Sequence, residues 1–147
     1  MPFFKEIESS YGHEMAMMAR SLSKIGKQIC TAKCRKDFLV KCRKFGVTPV
    51  FIRNCGLKEI KDHRFQNAKS KFEKKILNTT ISDTYKQLNN LEIQFDWLVI
   101  KLLQVIPAPM LDTFINFESK KNEKTTKNKV EKMSEKLLCL QQEQLGK

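Results

Sequence analysis

The sequence predicts an all-α fold in which one long, coiled-coil-like helix packs with shorter helices in a helical hairpin or bundle. Three observations carry this expectation. Only 5 Gly and 4 Pro occur in 147 residues, which leaves little material for the turns of an all-β chain, whereas the abundant Lys, Leu, Gln and Glu favour helices. Apolar residues recur every three or four positions along most of the chain, the period of a helix with one buried face. Between Leu77 and Val105 the recurrence becomes a strict alternation of fours and threes, the heptad signature of a packed seam. Residues 1–147 therefore read as a single helical module.

Residues 5–45 form the first part, a basic helix or helix pair. Ile7, Met15, Met18, Leu22, Ile25, Ile29, Cys34, Phe38, Cys42 and Phe45 fall mostly three or four apart, and Gly12 and Gly26 are the places where the run would split. Its end is sharply marked. Gly46 follows Phe45 where a left-handed cap belongs, Val47 supplies an apolar contact, and Pro49 forbids continuation. Residues 46–62 read as a connector, with a short apolar run at Val50-Phe51-Ile52 and a turn signal at Asn54-Cys55-Gly56.

The dominant element is expected over residues 63–106. Its seam is Leu77, Ile81, Thr84, Leu88, Leu91, Phe95, Leu98, Leu102 and Val105, while Phe65, Ala68, Phe72 and Ile76 keep helical spacing in another register, which implies a stutter near Lys75. Pro107 and Pro109 then impose a corner. In residues 109–145, Pro109 suits the first turn of a helix on which Met110, Phe114 and Phe117 share a face. A polar, lysine-rich segment from Lys120 to Lys129 is expected to weaken or bend the chain before Val130, Met133, Leu137 and Leu140 resume the seam.

Several classes of function find no support. The opening residues lack a basic stretch followed by an apolar one, and the strongest apolar run, Trp97 to Ile106, contains Lys101 and Gln104, so neither an export signal nor a membrane span is expected. Five cysteines, Cys30, Cys34, Cys42, Cys55 and Cys139, stand at irregular spacings and read as reduced thiols of an intracellular protein. No C-x-x-C pair is present, so no metal and no cofactor are expected. With 2 His and no P-loop, G-x-G-x-x-G or H-E-x-x-H, no catalytic residue can be named and no enzyme is expected.

Charge gives the positive lead. The net charge of +12 favours polyanionic partners such as nucleic acid or anionic lipid. Residues 31–44 are the densest basic run, and at about 100° per residue they sort into an apolar face of Cys34, Phe38, Leu39, Cys42 and Phe45 opposite a basic face. The candidate phosphate contacts are Lys33, Lys36, Lys41, Arg43 and Lys44, with Lys120, Lys121, Lys124, Lys127 and Lys129 as a second cluster. Arg35, at the edge of the apolar face, is placed to pair with a carboxylate of the long helix. Because Phe38, Phe45 and Phe95 fall on packing faces, backbone contacts rather than base stacking are expected.

The seam supports a different class of function. Leu77, Ile81, Leu88, Leu91, Phe95, Leu98 and Leu102 offer a face to a partner helix or to a second copy, or else pack within the chain. Thr84 and the bulky Phe95 suit internal packing better than a dimer seam, so a helical hairpin or bundle is preferred.

The stretch from Phe38 to Ile52 resembles a recurrent segment in the N-terminal region of Penelope-like retroelement proteins. There a Phe-Leu pair, a Cys and a Val-or-Ile-x-Pro step close a helix ahead of a short apolar connector. Here the matching residues are Phe38-Leu39, Cys42 and Val47-Thr48-Pro49. Farther along, Leu103-Gln104-Val105-Ile106-Pro107 looks like that family's proline break and Lys136-Leu137-Leu138-Cys139-Leu140 like its closing Lys-Phe-x-x-Leu, so the resemblance spans roughly residues 30 to 142. It implies a segment that precedes a reverse transcriptase and often a GIY-YIG endonuclease, neither of which lies within these residues. The expectation that follows is a non-catalytic helical module of retroelement origin that contacts nucleic acid, RNA favoured over DNA. The competing expectations are a structural or protein-interaction module and a truncated element remnant without function.

Overall fold

A computed structural model describes residues 2–49, 51–52 and 66–145, with the side chains of 2, 66–69, 125–131, 133–134, 136–137, 140 and 143–145 left aside. The described residues form four helices and no strand: α1 (Pro2–Tyr11), α2 (His13–Phe45), α3 (Gln66–Leu103) and α4 (Ala108–Leu145). The all-α class expected from composition and periodicity is the class observed. Asn54-Cys55-Gly56 and the expected start of the long helix at residue 63 lie outside the described residues.

Each boundary has a local cause. Gly12 separates α1 from α2 with φ of 99°, a left-handed conformation that only glycine adopts without strain. Gly26, by contrast, stays within α2. At the end of α2, Gly46 has φ of 68°, its N–H donates to the Arg43 carbonyl at 3.3 Å, and the Val47 N–H donates to the Cys42 carbonyl at 2.9 Å. That pair of bonds is a Schellman cap, and it swings Val47 into the core beside Cys42. After Leu103, the N–H groups of Val105 and Ile106 both turn back to the Leu102 carbonyl, and the Pro107 carbonyl accepts the first bonds of α4 from Met110 and Leu111. The new helix thus starts at Ala108, one residue before the expected Pro109.

Two expectations about α4 are corrected. Its 38 residues are assigned as one helix through Lys120 to Lys129, where the sequence suggested a break between two helical pieces, because no Gly or Pro follows Pro109 until Gly146 and Lys and Glu are good helix formers. Its buried face is Leu111, Phe114, Glu118 and Asn122, rotated from the expected one, so Phe117 is exposed.

The chain divides into two compact units where the sequence suggested one module, and the division follows separate cores. One unit comprises Met1–Lys33 and Gln87–Asn128. Its core joins Ile7 and Leu22 to Leu98, Leu102, Ile106, Leu111 and Phe114, and a second cluster sets Ala32 against Leu88 and Leu91. Phe3 stacks on Phe114 with ring centroids 4.1 Å apart, and Phe4 meets the same ring edge-on at 5.5 Å. The other unit comprises Cys34–Lys86 and Lys129–Lys147, and its core gathers Phe38, Leu39, Cys42, Val47 and Ile52 around Leu77 and Ile81. Each fully buried Leu or Ile contributes about 1.5–3 kcal/mol through removal of apolar surface from water.

The heptad seam is therefore packed within the chain. Leu77, Ile81, Leu88, Leu91, Leu98 and Leu102 are buried and Phe95 is half-buried. Thr84, the polar member, is buried without cost to the hydrogen-bond inventory because its hydroxyl donates to the Thr80 carbonyl at 2.8 Å. Val105 leaves the seam, since the helix has ended and Ile106 takes the buried place.

Candidate nucleic-acid interface

In the Cys34–Lys86 unit, burial of Cys34, Phe38, Leu39 and Cys42 fixes the rotation of α2 and turns the basic side chains outward. Lys41, Arg43 and Lys44 are exposed. Lys36 is half-buried, with its ammonium 3.4 Å from Asp37 Oδ1 and 5.5 Å from the centre of the Tyr85 ring. Those contacts engage part of its charge inside the protein, so Arg43 and Lys44 are the better placed phosphate ligands. Arg35 does not pair with a carboxylate of the long helix; its guanidinium lies 5.9 Å from the centre of the Phe51 ring.

Tertiary packing adds residues that α2 alone does not disclose. A cavity of about 190 Å³ is lined by Arg43, Gly46 and Thr48 on one side and by Ser70, Glu73, Lys74 and Asn78 of α3 on the other. Two cations, two hydroxyls and an amide are donors suited to a phosphate oxygen, while Glu73 opposes an anion there. Lys71 and Lys75 are exposed on the same helix. The signal in the sequence was the Lys71-Phe72-Glu73-Lys74-Lys75 run, which precedes the heptad seam and stands apart from the two basic clusters named above.

The aromatic expectation is also corrected. Phe45, assigned to the packing face, is 53% exposed, because it is the last residue of α2 and the chain turns away at Gly46. Phe51 and Tyr85 are exposed too, so this unit carries flat apolar surfaces among its cations.

The remaining candidates fall in other places. Lys33 belongs to the Met1–Lys33/Gln87–Asn128 unit, as do Lys120, Lys121 and Lys124, all of them exposed. The side chains of Lys127 and Lys129 lie outside the described set. Cys34 and Cys42 are buried, Cys30 is half-buried and Cys139 exposed, while Cys55 lies outside the described residues. No helix among the described residues is long and apolar enough to cross a membrane.

No family model, no curated protein and no solved structure matches the chain.

Proposed function

We propose that the chain is a non-catalytic, intracellular helical module that binds nucleic acid, RNA in preference to DNA, through the Cys34–Lys86 unit. The observation that carries this reading is the convergence of Arg43 and Lys74 on one polar cavity, in a unit that also exposes Phe45 and Tyr85. Cations track a phosphate backbone, and exposed rings accept unpaired bases, which single strands offer and duplexes do not. The resemblance of residues 38–52 to Penelope-like N-terminal segments supports a retroelement origin and a place beside RNA, without a polymerase in this chain.

The test is a salt series of affinities for a generic single-stranded RNA and for duplex DNA, with an Arg43→Glu, Lys44→Glu, Lys74→Glu variant alongside. Binding to RNA should weaken steeply with salt, and the variant should flatten the slope by about 0.7 for each phosphate that it no longer neutralises. Phe45→Ala should weaken RNA binding and leave the salt slope unchanged. A variant that binds as tightly as the parent sinks the reading.

A second reading rests on a different observation and replaces the seam as the partner face. Opposite the buried seam, α3 exposes Ile93, Trp97 and Ile100 by 60%, 55% and 59%, an apolar stripe spaced four and three. Asn90 precedes it in the same register, and Asp96 and Lys101 flank it five residues apart. That is the offset at which flanking charges meet in a parallel pair of like helices, so the occupant this stripe suits is a second copy of the chain. Trp97→Ser with Ile100→Asp should abolish self-association seen by sedimentation while leaving helix content intact. A parent chain that stays monomeric at high concentration removes this reading.

A further inference from the structure

The Met1–Lys33/Gln87–Asn128 unit holds a feature that nucleic-acid binding does not use. A partly open cavity of about 300 Å³ lies among α2, α3 and α4 within this unit, walled by Leu22, Ile29, Phe95 and Phe114. Its polar lining includes Ser23, Glu118 and Asn122, with Lys33, Glu92 and Ser119. Glu118 and Asn122 are only 7% and 8% exposed, and they occupy positions of α4 that continue the apolar face of Leu111 and Phe114.

Space for a ligand exists because position 26 has no side chain. A Cβ built on Gly26 would stand 3.7 Å from Asn122 Nδ2 and 3.7 Å from Phe95 Cε2. Any longer side chain would grow into the cavity. The glycine costs helix stability relative to alanine, and its neighbours are the cavity wall and the buried amide.

The charge of the cavity is the informative part. Ser23 Oγ donates to Glu118 Oε2 at 3.0 Å, and among the described residues no Lys, Arg or His forms an ion pair with Glu118. A largely buried carboxylate with one hydroxyl donor retains unused acceptor capacity on its other oxygen, which reaches the open side of the cavity, since no fully buried side-chain oxygen among the described residues lacks a partner. Around the lining, Glu92 and Glu118 are opposed by Lys33 alone, a local negative excess in a chain of net charge +12. Aromatic rings beside a carboxylate are the surroundings that an organic cation prefers over a neutral or anionic ligand.

We infer that this cavity is a binding site for a small organic ammonium compound, with its apolar body against Phe95 and Phe114 and its N–H groups directed to Glu118. The volume is at the lower end of ligand cavities, which restricts the occupant to about one ring with a short arm. Glu118 provides the charge and Gly26 the room.

The full chain titrated with phenethylammonium, 2-phenylethanol and phenylacetate, followed by amide chemical shifts, tests the assignment. The ammonium compound should bind saturably with the shifts centred on residues 22–30 and 114–122, the alcohol about tenfold or more weaker, and the carboxylate not at all. Glu118→Gln preserves the shape and an acceptor for Ser23, and it should weaken the ammonium compound by about tenfold or more while leaving the alcohol unchanged. Gly26→Leu should abolish binding of both, and if that variant fails to fold, the Glu118→Gln comparison decides alone. Equal affinity for ammonium and alcohol, undiminished binding to Glu118→Gln, or no saturable shift with the ammonium compound overturns the proposal.

Discussion

The same long helices serve both units of this protein, yet the two units bury different chemistry. In the Cys34–Lys86 unit the buried residues described are apolar apart from the hydroxyls of Thr48 and Thr84, and Arg43, Lys44, Lys71 and Lys75 stand exposed. In the Met1–Lys33/Gln87–Asn128 unit, Glu118 and Asn122 take core-facing positions beside Phe114, and a cavity persists next to them. The cavity of about 190 Å³ in the Cys34–Lys86 unit is rimmed by the exposed cations Arg43 and Lys74, so recognition there takes place at a cationic surface. A unit with a cavity and a buried carboxylate has an interior that can recognise as well.

The largest expected effects test whether the two cores are separate. Leu102→Ala and Leu39→Ala each remove a fully buried side chain, and each should cost about 2–5 kcal/mol of unfolding free energy by denaturant titration. Hydrogen exchange should place the greatest fall in amide protection within the unit that carries each substitution. Equally reduced protection across both units, for either variant, would merge them into one cooperative body and remove the contrast. Gln94→Ala, exposed on the same helix as Leu102, serves as the control and should change stability by no more than about 0.5 kcal/mol.

How far the sequence disclosed these differences depended on whether a residue's role is local. The end of α2 was legible because Gly46, Val47 and Pro49 act through backbone geometry within a few residues. The seam from Leu77 to Leu102 was legible because its repeat is long enough to fix one face. The phase of α4 was not, because Met110, Phe114 and Phe117 and the alternative Leu111, Phe114, Glu118 and Asn122 both keep helical spacing. The burial of Leu111 in the core with Ile7 and Leu22 selects the second. The cations of α2 could be found on a helical wheel, but the cavity joining Arg43 to Ser70 and Lys74 depends on how α3 returns against α2, which no local rule supplies. Phe45 shows the limit of the wheel at a helix end, where the face it belongs to has already run out of neighbours.

Next in size is the cap of α2. With φ of 68° at Gly46 and open space around its Cβ direction, a substitution meets no clash, so its cost isolates the left-handed backbone. Gly46→Ala should destabilise the protein by about 1–2 kcal/mol, read as a lowered melting temperature. Because Gly46 also lines the Arg43–Lys74 cavity, the same variant should weaken RNA binding only if the cap geometry holds Arg43 in place. Reduced stability with unchanged RNA affinity would show that Arg43 is positioned by the body of α2 instead.

The smallest expected effect has the opposite sign and returns to the other unit. Gly26 lies within α2 with ordinary helical geometry, so replacing it removes the excess freedom of the unfolded chain and improves helix propensity. The added Cβ would meet Asn122 Nδ2 and Phe95 Cε2 at van der Waals distance, 3.7 Å each, so no strain offsets the gain. Gly26→Ala should therefore stabilise the protein by up to about 1 kcal/mol and raise its melting temperature. The same methyl group narrows the cavity beside Glu118, and it should weaken phenethylammonium binding while stability rises. A cavity that is merely loose packing would respond in stability alone, with any binding of the ammonium compound unchanged, so the two readouts moving in opposite directions distinguish a ligand site from a gap between helices.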